Sequence, residues 1–192
     1  MCSWCWAFKP TLQKILTNLP ENLAIEYLLG GLAPDNNNPM SPETRKLVIG
    51  NWRRVQDTVP DTDFNYEFWR LNTPKRSTYI ACRAVISARL QNPKFERVMI
   101  DEIQYAYYLK AQNPSEEIVL FDLAGKIGLY VETFKKDLNS PKVNNYLNKE
   151  IEFSRMMPIN GFPSLVLSKN DTLTQVKINY VNDNFTINQI IA

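Results

Sequence analysis

Histidine is absent from this sequence of 192 residues. Ser-His-Asp and Cys-His catalysis are therefore unavailable within the chain, and so is any zinc site built with imidazole. Cysteine is scarce, with Cys2, Cys5 and Cys82 as its three occurrences. Three thiols from one chain cannot make a four-thiolate metal site. Spread over this length, they do not form the disulfide framework of a small secreted domain either. No apolar run approaches the ~18 residues that a transmembrane helix needs, so no membrane span is expected. Charge of one sign is nowhere concentrated: the net value is +2 and the signs are interspersed. That argues against nucleic acid as the main partner, because phosphate binding needs a dense basic surface. No secretory signal and no internal repeat are visible, and a cytoplasmic setting is the expectation. The apolar share of 44% suits a globular domain of ordinary size with a proper core.

The pattern along the chain is mostly helical. Phe8, Leu12, Ile15, Leu16 and Leu19 fall at helical spacing, which predicts a helix over 5–19 with Pro10 as a kink. Residues 23–29 are short, apolar and bounded by Pro20 and Gly30-Gly31, as in a buried strand. Residues 34–39 read as a loop. Five capping residues then stand directly before proline: Ser41-Pro42, Thr73-Pro74, Asn92-Pro93, Asn113-Pro114 and Ser140-Pro141. Each predicts a helix start, because proline at the first helical position loses nothing by lacking an N–H. A short helix is expected around Val131, Phe134 and Leu138. After Met157 the pattern changes to Ser164–Leu167, a turn at Lys169-Asn170-Asp171, and alternation at Val176, Ile178 and Tyr180. These read as an antiparallel hairpin, followed by a closing helix over 185–191 capped by Asn184.

The chemistry is carried by Cys2-Ser3-Trp4-Cys5 at the start of the first helix. A helix N-terminus presents unpaired N–H groups and a partial positive charge, which stabilises a thiolate. Two intervening residues let both sulfurs meet across one turn. Cys2, at the tip, is the expected nucleophile; Cys5, one turn inside, is the expected resolving thiol. The competing readings are a chance pair or half of a zinc site, and the latter has neither a second cysteine pair nor a histidine to complete it. Cys82 shares an apolar helical face with Val85 and Ile86 and reads as a buried structural thiol. Phe64, Tyr66, Phe68, Trp69, Tyr105, Tyr107 and Tyr108 could line a groove, but packing is the more ordinary use of such a cluster.

Trp4-Cys5 with Pro10 five residues on resembles the thioredoxin active-site helix. Met1 to Trp6 with Phe8 and Pro10 resembles more narrowly the DsbA-like thioredoxin superfamily, in its FrnE-like branch of predicted protein-disulfide isomerases. The resemblance implies an α/β thioredoxin-like fold with a large helical insertion between the second and third strands. The implied division is a discontinuous thioredoxin-like domain over 1–40 and 157–192, and a helical domain over 41–156. It further implies a cis peptide at Phe162-Pro163 beside the cysteine pair, with Ser3, Trp4, Phe162 and Pro163 contacting substrate. The implied activity is thiol–disulfide exchange on protein or peptide thiols and disulfides, with glutathione as a further partner and with no cofactor or metal. One departure is that no histidine lies between the cysteines, which tells against strong oxidase behaviour. Two rivals stand beside this reading. One is a kappa-class-like glutathione-dependent transferase or isomerase on the same architecture, whose sites carry a serine where the nucleophile sits here. The other is a binding or chaperone-like module with a vestigial cysteine pair.

In the implied fold a central strand precedes the cysteine helix, yet a single residue precedes Cys2. An unfilled central position would deprive residues 23–29 and 164–167 of hydrogen bonds, at ~1–3 kcal/mol per buried group. The expectation is therefore that an upstream or foreign segment fills the position, or that the strands re-pair and displace the cysteine pair.

Overall fold

The computed structural model describes residues 1–191. The first helix, α1 (Ser3–Asn18), is followed by an extended segment and then by a helical block: α2 (Pro42–Thr58), α3 (Phe68–Leu71), α4 (Tyr79–Gln91), α5 (Phe95–Tyr108), α6 (Glu117–Lys126), α7 (Val131–Leu138) and α8 (Pro141–Met156). A hairpin of β1 (Leu165–Lys169) and β2 (Thr172–Val176) and the last helix, α9 (Asp183–Ile191), complete the chain.

The proline motifs divide into three outcomes. Ser41 and Ser140 cap α2 and α8 as expected, each side chain accepting a backbone N–H from three residues on. Asn92 and Asn113 act one turn early. Their side-chain oxygens accept the N–H of Lys94 and of Ser115, and their carbonyls accept from Phe95 and Glu116, so regular helix begins only at Phe95 and Glu117. Thr73-Pro74 starts nothing. The Pro74 carbonyl instead accepts the Met40 N–H, and α4 begins five residues later.

Helix α4 is the axis of the block. Residues from Ile80 to Ala88 are almost all buried, and α5, α6, α7 and α8 pack round it. Its three alanines, Ala81, Ala84 and Ala88, let those neighbours approach closely. A second core centres on Trp52 of α2, whose ring meets Phe64, Phe68, Trp69, Tyr107 and Tyr108. The aromatic cluster is thus a packing core first. Helix α1 lies against α9 and α2.

The hairpin turns at Asn170 and Asp171, with φ of 50° and 60°. That pair of left-handed residues matches the twist of the flanking strands. The second strand ends at Val176, so Ile178 and Tyr180 lie beyond it. The closing helix starts at Asp183, and Asn182 rather than Asn184 supplies the capping oxygen, accepting from Phe185 N–H.

Residues 23–29 are not a strand. The segment is extended, but residues 24–28 make no main-chain hydrogen bond among the described residues. It is tied down by the Leu29 N–H, which donates to the Glu150 carboxylate at 3.0 Å. Among the described residues strand β1 pairs with β2 alone. The expected displacement of the cysteine pair is also not found: α1 stays docked beside Phe162. The penalty invoked for a missing neighbour applies to buried groups. Ala24, Ile25, Glu26 and Leu28 are exposed among the described residues, so that penalty does not fall on them.

Candidate active site

Cys2 is the N-cap of α1, with extended dihedrals (φ −97°, ψ 110°), and its sulfur takes the place of the usual capping oxygen. The Cys5 N–H donates to Cys2 Sγ at 3.2 Å. Sequence accounts for this directly: a cysteine in the cap position and three residues of helix behind it bring one free N–H onto the sulfur.

The two thiols are driven apart in acidity. Cys2 is held below the ordinary cysteine value, first by the hydrogen bond from the Cys5 thiol, against the opposing effect of burial, and then by the helix N–H groups. Cys5 is pushed well above it, because its proton is held by Cys2 and because it is buried. One proton shared between the sulfurs thus resides on Cys5.

On the other side of Cys2 lies the Phe162–Pro163 peptide bond, which is cis. The Phe162 carbonyl oxygen stands 3.5 Å from Cys2 Sγ, within reach of a thiol donor. The structure therefore brings together Cys2, Cys5, Phe162 and Pro163, residues 160 positions apart in sequence. Ser3 and Trp4 lie in the first turn of α1 and, with Cys2 and Phe162, line a cavity of about 300 Å³. Lys75 and Arg76 stand at its wall, and among the described residues no carboxylate side chain lines it. Lys75 is drawn to Glu116 at 3.1 Å, which leaves Arg76 as the exposed cation there.

Two aromatic residues support the site through contacts with the cysteine helix that the sequence does not predict. Tyr180 packs edge-on against Trp4 and Phe8, with ring centroids 5.4 and 5.7 Å away, and its carbonyl accepts a hydrogen bond from Thr11. Tyr108 stacks on Trp6 at 5.5 Å. Both contacts span most of the chain, so local pattern carries no signal for them. Cys82 is half-buried and borders a second cavity that Cys2 and Cys5 also line. Burial pushes its thiol up to about 11, which leaves it a poor nucleophile at neutral pH.

The chain belongs to the thioredoxin family: the model of the family described as thioredoxin matches residues 1–188. The fold is accordingly the thioredoxin-like α/β fold with its helical insertion, here with a two-stranded sheet among the described residues. Among solved structures it is similar to a candidate protein disulfide isomerase from Nitrosomonas europaea, with a TM-score of 0.84, 25% identity, and coverage of 100% of this chain and 91% of the other. It also resembles the cytosolic disulfide reductase DsbM from Pseudomonas aeruginosa in fold, with a TM-score of 0.76, 20% identity, and coverage of 92% and 85%. That protein is also known in a structure with GSH. Among curated proteins, the ClpXP adapter protein SpxH of Halalkalibacterium halodurans is 25% identical over 170 residues, 86% of this chain and 55% of the relative. The SpxH of Bacillus subtilis is 21% identical over 165 residues, 86% and 54%. The chain spans about half the length of the curated relatives it matches.

Proposed function

We propose that the protein is a thiol–disulfide oxidoreductase acting on protein or peptide disulfides through Cys2 and Cys5. The observation that carries this is the opposed acidity of two thiols one helical turn apart, with the more acidic one at the helix tip beside the Phe162 carbonyl.

The chemistry follows from that arrangement. The Cys2 thiolate attacks one sulfur of a substrate disulfide; a Cys2–substrate disulfide forms and the other substrate sulfur leaves as thiolate. Cys5 gives up its proton and attacks Cys2 Sγ. The Cys2–Cys5 disulfide forms, and the second substrate thiolate leaves. The substrate gains two electrons and the protein loses two, and an external dithiol or two monothiols restore the reduced pair. Every step runs backwards when the substrate is the thiol. Ser3, Trp4, Phe162 and Pro163 are the proposed substrate contacts.

Glutathione fits as a partner. The cavity that Cys2 shares with Trp4 carries Arg76 and Lys75 and, among the described residues, no acidic side chain, which suits a thiol bearing carboxylates. The proposed setting is the cytosol, as the name of the Pseudomonas reductase has it for that protein. Among the described residues no helix is long and apolar enough to cross a membrane. The proposed domain division is a discontinuous 1–40 and 157–192 around a helical 41–156.

Insulin reduction driven by a thiol tests the reading. Cys2→Ser should abolish turnover, and Cys5→Ser should accumulate a mixed disulfide visible by mass. Undiminished turnover by a Cys2→Ser, Cys5→Ser double variant would sink it. A second reading, a binding module, is favoured by the adapter role that the SpxH names print for those relatives. It requires partner binding that the double variant leaves intact.

A further inference from the structure

Gly30 and Gly31 stand side by side, and the structure gives them different reasons to be glycine. Gly31 has φ of 55°, in the left-handed region that glycine enters without steric penalty. Gly30 lies outside that region, so its main chain sets no bar to a side chain. What it lacks is room. A β-carbon on Gly30 would run into Cζ, Cε1 and Cε2 at the far end of the Phe162 ring, the last of them at 2.7 Å. Carbon atoms in contact keep about 3.5–4.0 Å apart, so the ring would have to withdraw by about 1 Å or more.

The main chain at Gly30 is fastened on both sides and is not the partner that gives way. The Leu29 N–H donates to Glu150 at 3.0 Å. Gly31 is pressed against Tyr79 and Ile151, where an added β-carbon would come within 2.8 Å of the Tyr79 ring. Ala33 N–H donates to Thr78 Oγ1 at 2.9 Å, and Thr78 N–H donates back to the Ala33 carbonyl at 3.0 Å. The ring is the softer side. Phe162 is half-buried, and the open space beside it is the cavity of about 300 Å³ that it lines together with Cys2, Ser3 and Trp4. The ring also belongs to the residue whose carbonyl oxygen stands 3.5 Å from Cys2 Sγ.

We infer that Gly30 is a positioning residue of the thiol site: its bare Cα seats the Phe162 ring, which keeps the ring clear of the cavity before Cys2 and holds the Phe162 carbonyl beside the sulfur. Gly30 touches no reacting atom and acts through Phe162. The role serves the exchange chemistry proposed above and rests on it. In Gly30→Ala the ring moves into space that a partner sulfur needs, and a displacement of ~1 Å at a reacting site can cost ~10²-fold in rate.

The test labels Cys2 in the reduced whole protein with a small reagent, iodoacetamide, and a bulky one, N-phenylmaleimide, and locates the label by peptide mass. In Gly30→Ala the bulky reagent should react at least fivefold more slowly than with the parent, and the small one within twofold of it. Removing the ring should remove the effect, so Phe162→Ala and the Gly30→Ala, Phe162→Ala double variant should label alike with both reagents. Gly50→Ala, whose β-carbon meets nothing within 4 Å, should match the parent. Parent-like labelling of Gly30→Ala would overturn the inference. So would the same slowing in the double variant, or faster labelling by both reagents, which marks a loosened fold. A Gly30→Ala chain that does not fold would also overturn the positioning role, whether or not the double variant folds. Insulin reduction is read on the same proteins. Gly30→Ala should lose at least tenfold in kcat/KM, and the loss should vanish against Phe162→Ala; an unchanged kcat/KM beside an active parent would overturn the inference. Labelling needs no turnover, so a parent that fails to reduce insulin defeats the exchange reading, while the labelling ratio still decides whether Gly30 seats the ring.

Discussion

At the scale of single residues, the candidate site rests on an asymmetry between two sulfurs that share one hydrogen-bonding turn. A thiol reacts as thiolate, so alkylation of each cysteine follows its own acidity. Cys2 is lowered, so its thiolate is present above its shifted value and is lost as pH falls through it. Labelling by iodoacetamide, located by peptide mass, should therefore give Cys2 a midpoint below the ~8.5 of free cysteine, with Cys5 and Cys82 reacting only at distinctly higher pH. First labelling at Cys5 would reverse the assignment of nucleophile. In Cys5→Ala the main donor to Cys2 is lost, so the Cys2 midpoint should move up. How much of this was legible varies by residue. Cys2, Cys5 and Pro10 announced themselves, because the logic of a thiol on a helix tip is local. The contacts of Tyr180 with Trp4 and of Tyr108 with Trp6 did not, since they are made across the fold. The alternation of Tyr180 with Val176 and Ile178 predicts a strand residue, but the ladder stops at Val176.

At the scale of elements, similar sequence signals had different fates, and the difference is physical. Ser140-Pro141 and Thr73-Pro74 read alike, yet only Ser140 meets a helical N–H; the chain after Pro74 is held in a loop by Met40. Ser140→Ala should therefore lower stability by about 1 kcal/mol, the usual worth of a side-chain cap. Thr73→Ala should change it by no more than a few tenths of that. Chemical denaturation of both variants checks the pair, and equal losses would contradict the cap assignment. The hairpin offers a gain in place of a loss. Asp171 holds φ of 60°, a conformation that glycine adopts without steric penalty. Asp171→Gly should stabilise by roughly 0.5–1 kcal/mol, because Asn-Gly suits the two central positions of this turn. A fall in melting temperature would show that the Asp171 side chain contributes more than its backbone strain removes. Helix existence was legible wherever apolar spacing ran for ten residues or more. The segment 23–29 departs from the predicted strand because a short apolar run signals extended shape, while a strand is defined by its neighbour, and local sequence carries no information on the neighbour.

At the scale of the molecule, the extended segment that flanks the thiol site is fastened to the helical block through one carboxylate. Glu150 on α8 accepts the Leu29 N–H at 3.0 Å and pairs with Arg89 of α4, which also reaches Glu96 of α5 at 2.7 Å. Three helices and the segment therefore meet at four groups. The Arg89 and Glu150 side chains retain 27% and 13% of their exposure, which places the pair between a surface bridge and a buried one. A surface pair contributes ~0–1 kcal/mol, and breaking a buried pair destabilises by ~3–5 kcal/mol. Glu150→Ala, which removes the charge and the acceptor together, should fall between at about 1–3 kcal/mol. Glu150→Gln keeps an acceptor for Leu29 and loses only the charge, so its loss should be smaller. The exposed Arg70–Glu67 pair supplies the reference, and Glu67→Ala should change stability the least of the three. Global stability alone would not separate a clamp from ordinary ion pairing, so the deciding measurement is local. Amide exchange at Leu29 should accelerate strongly in Glu150→Ala and little in Glu150→Gln, while amides in α9, remote from the pair, stay unchanged. If Leu29 exchanges equally in both variants and in the parent, the segment is held by its side chains alone, and the wall of the thiol site does not depend on the helical block for its position.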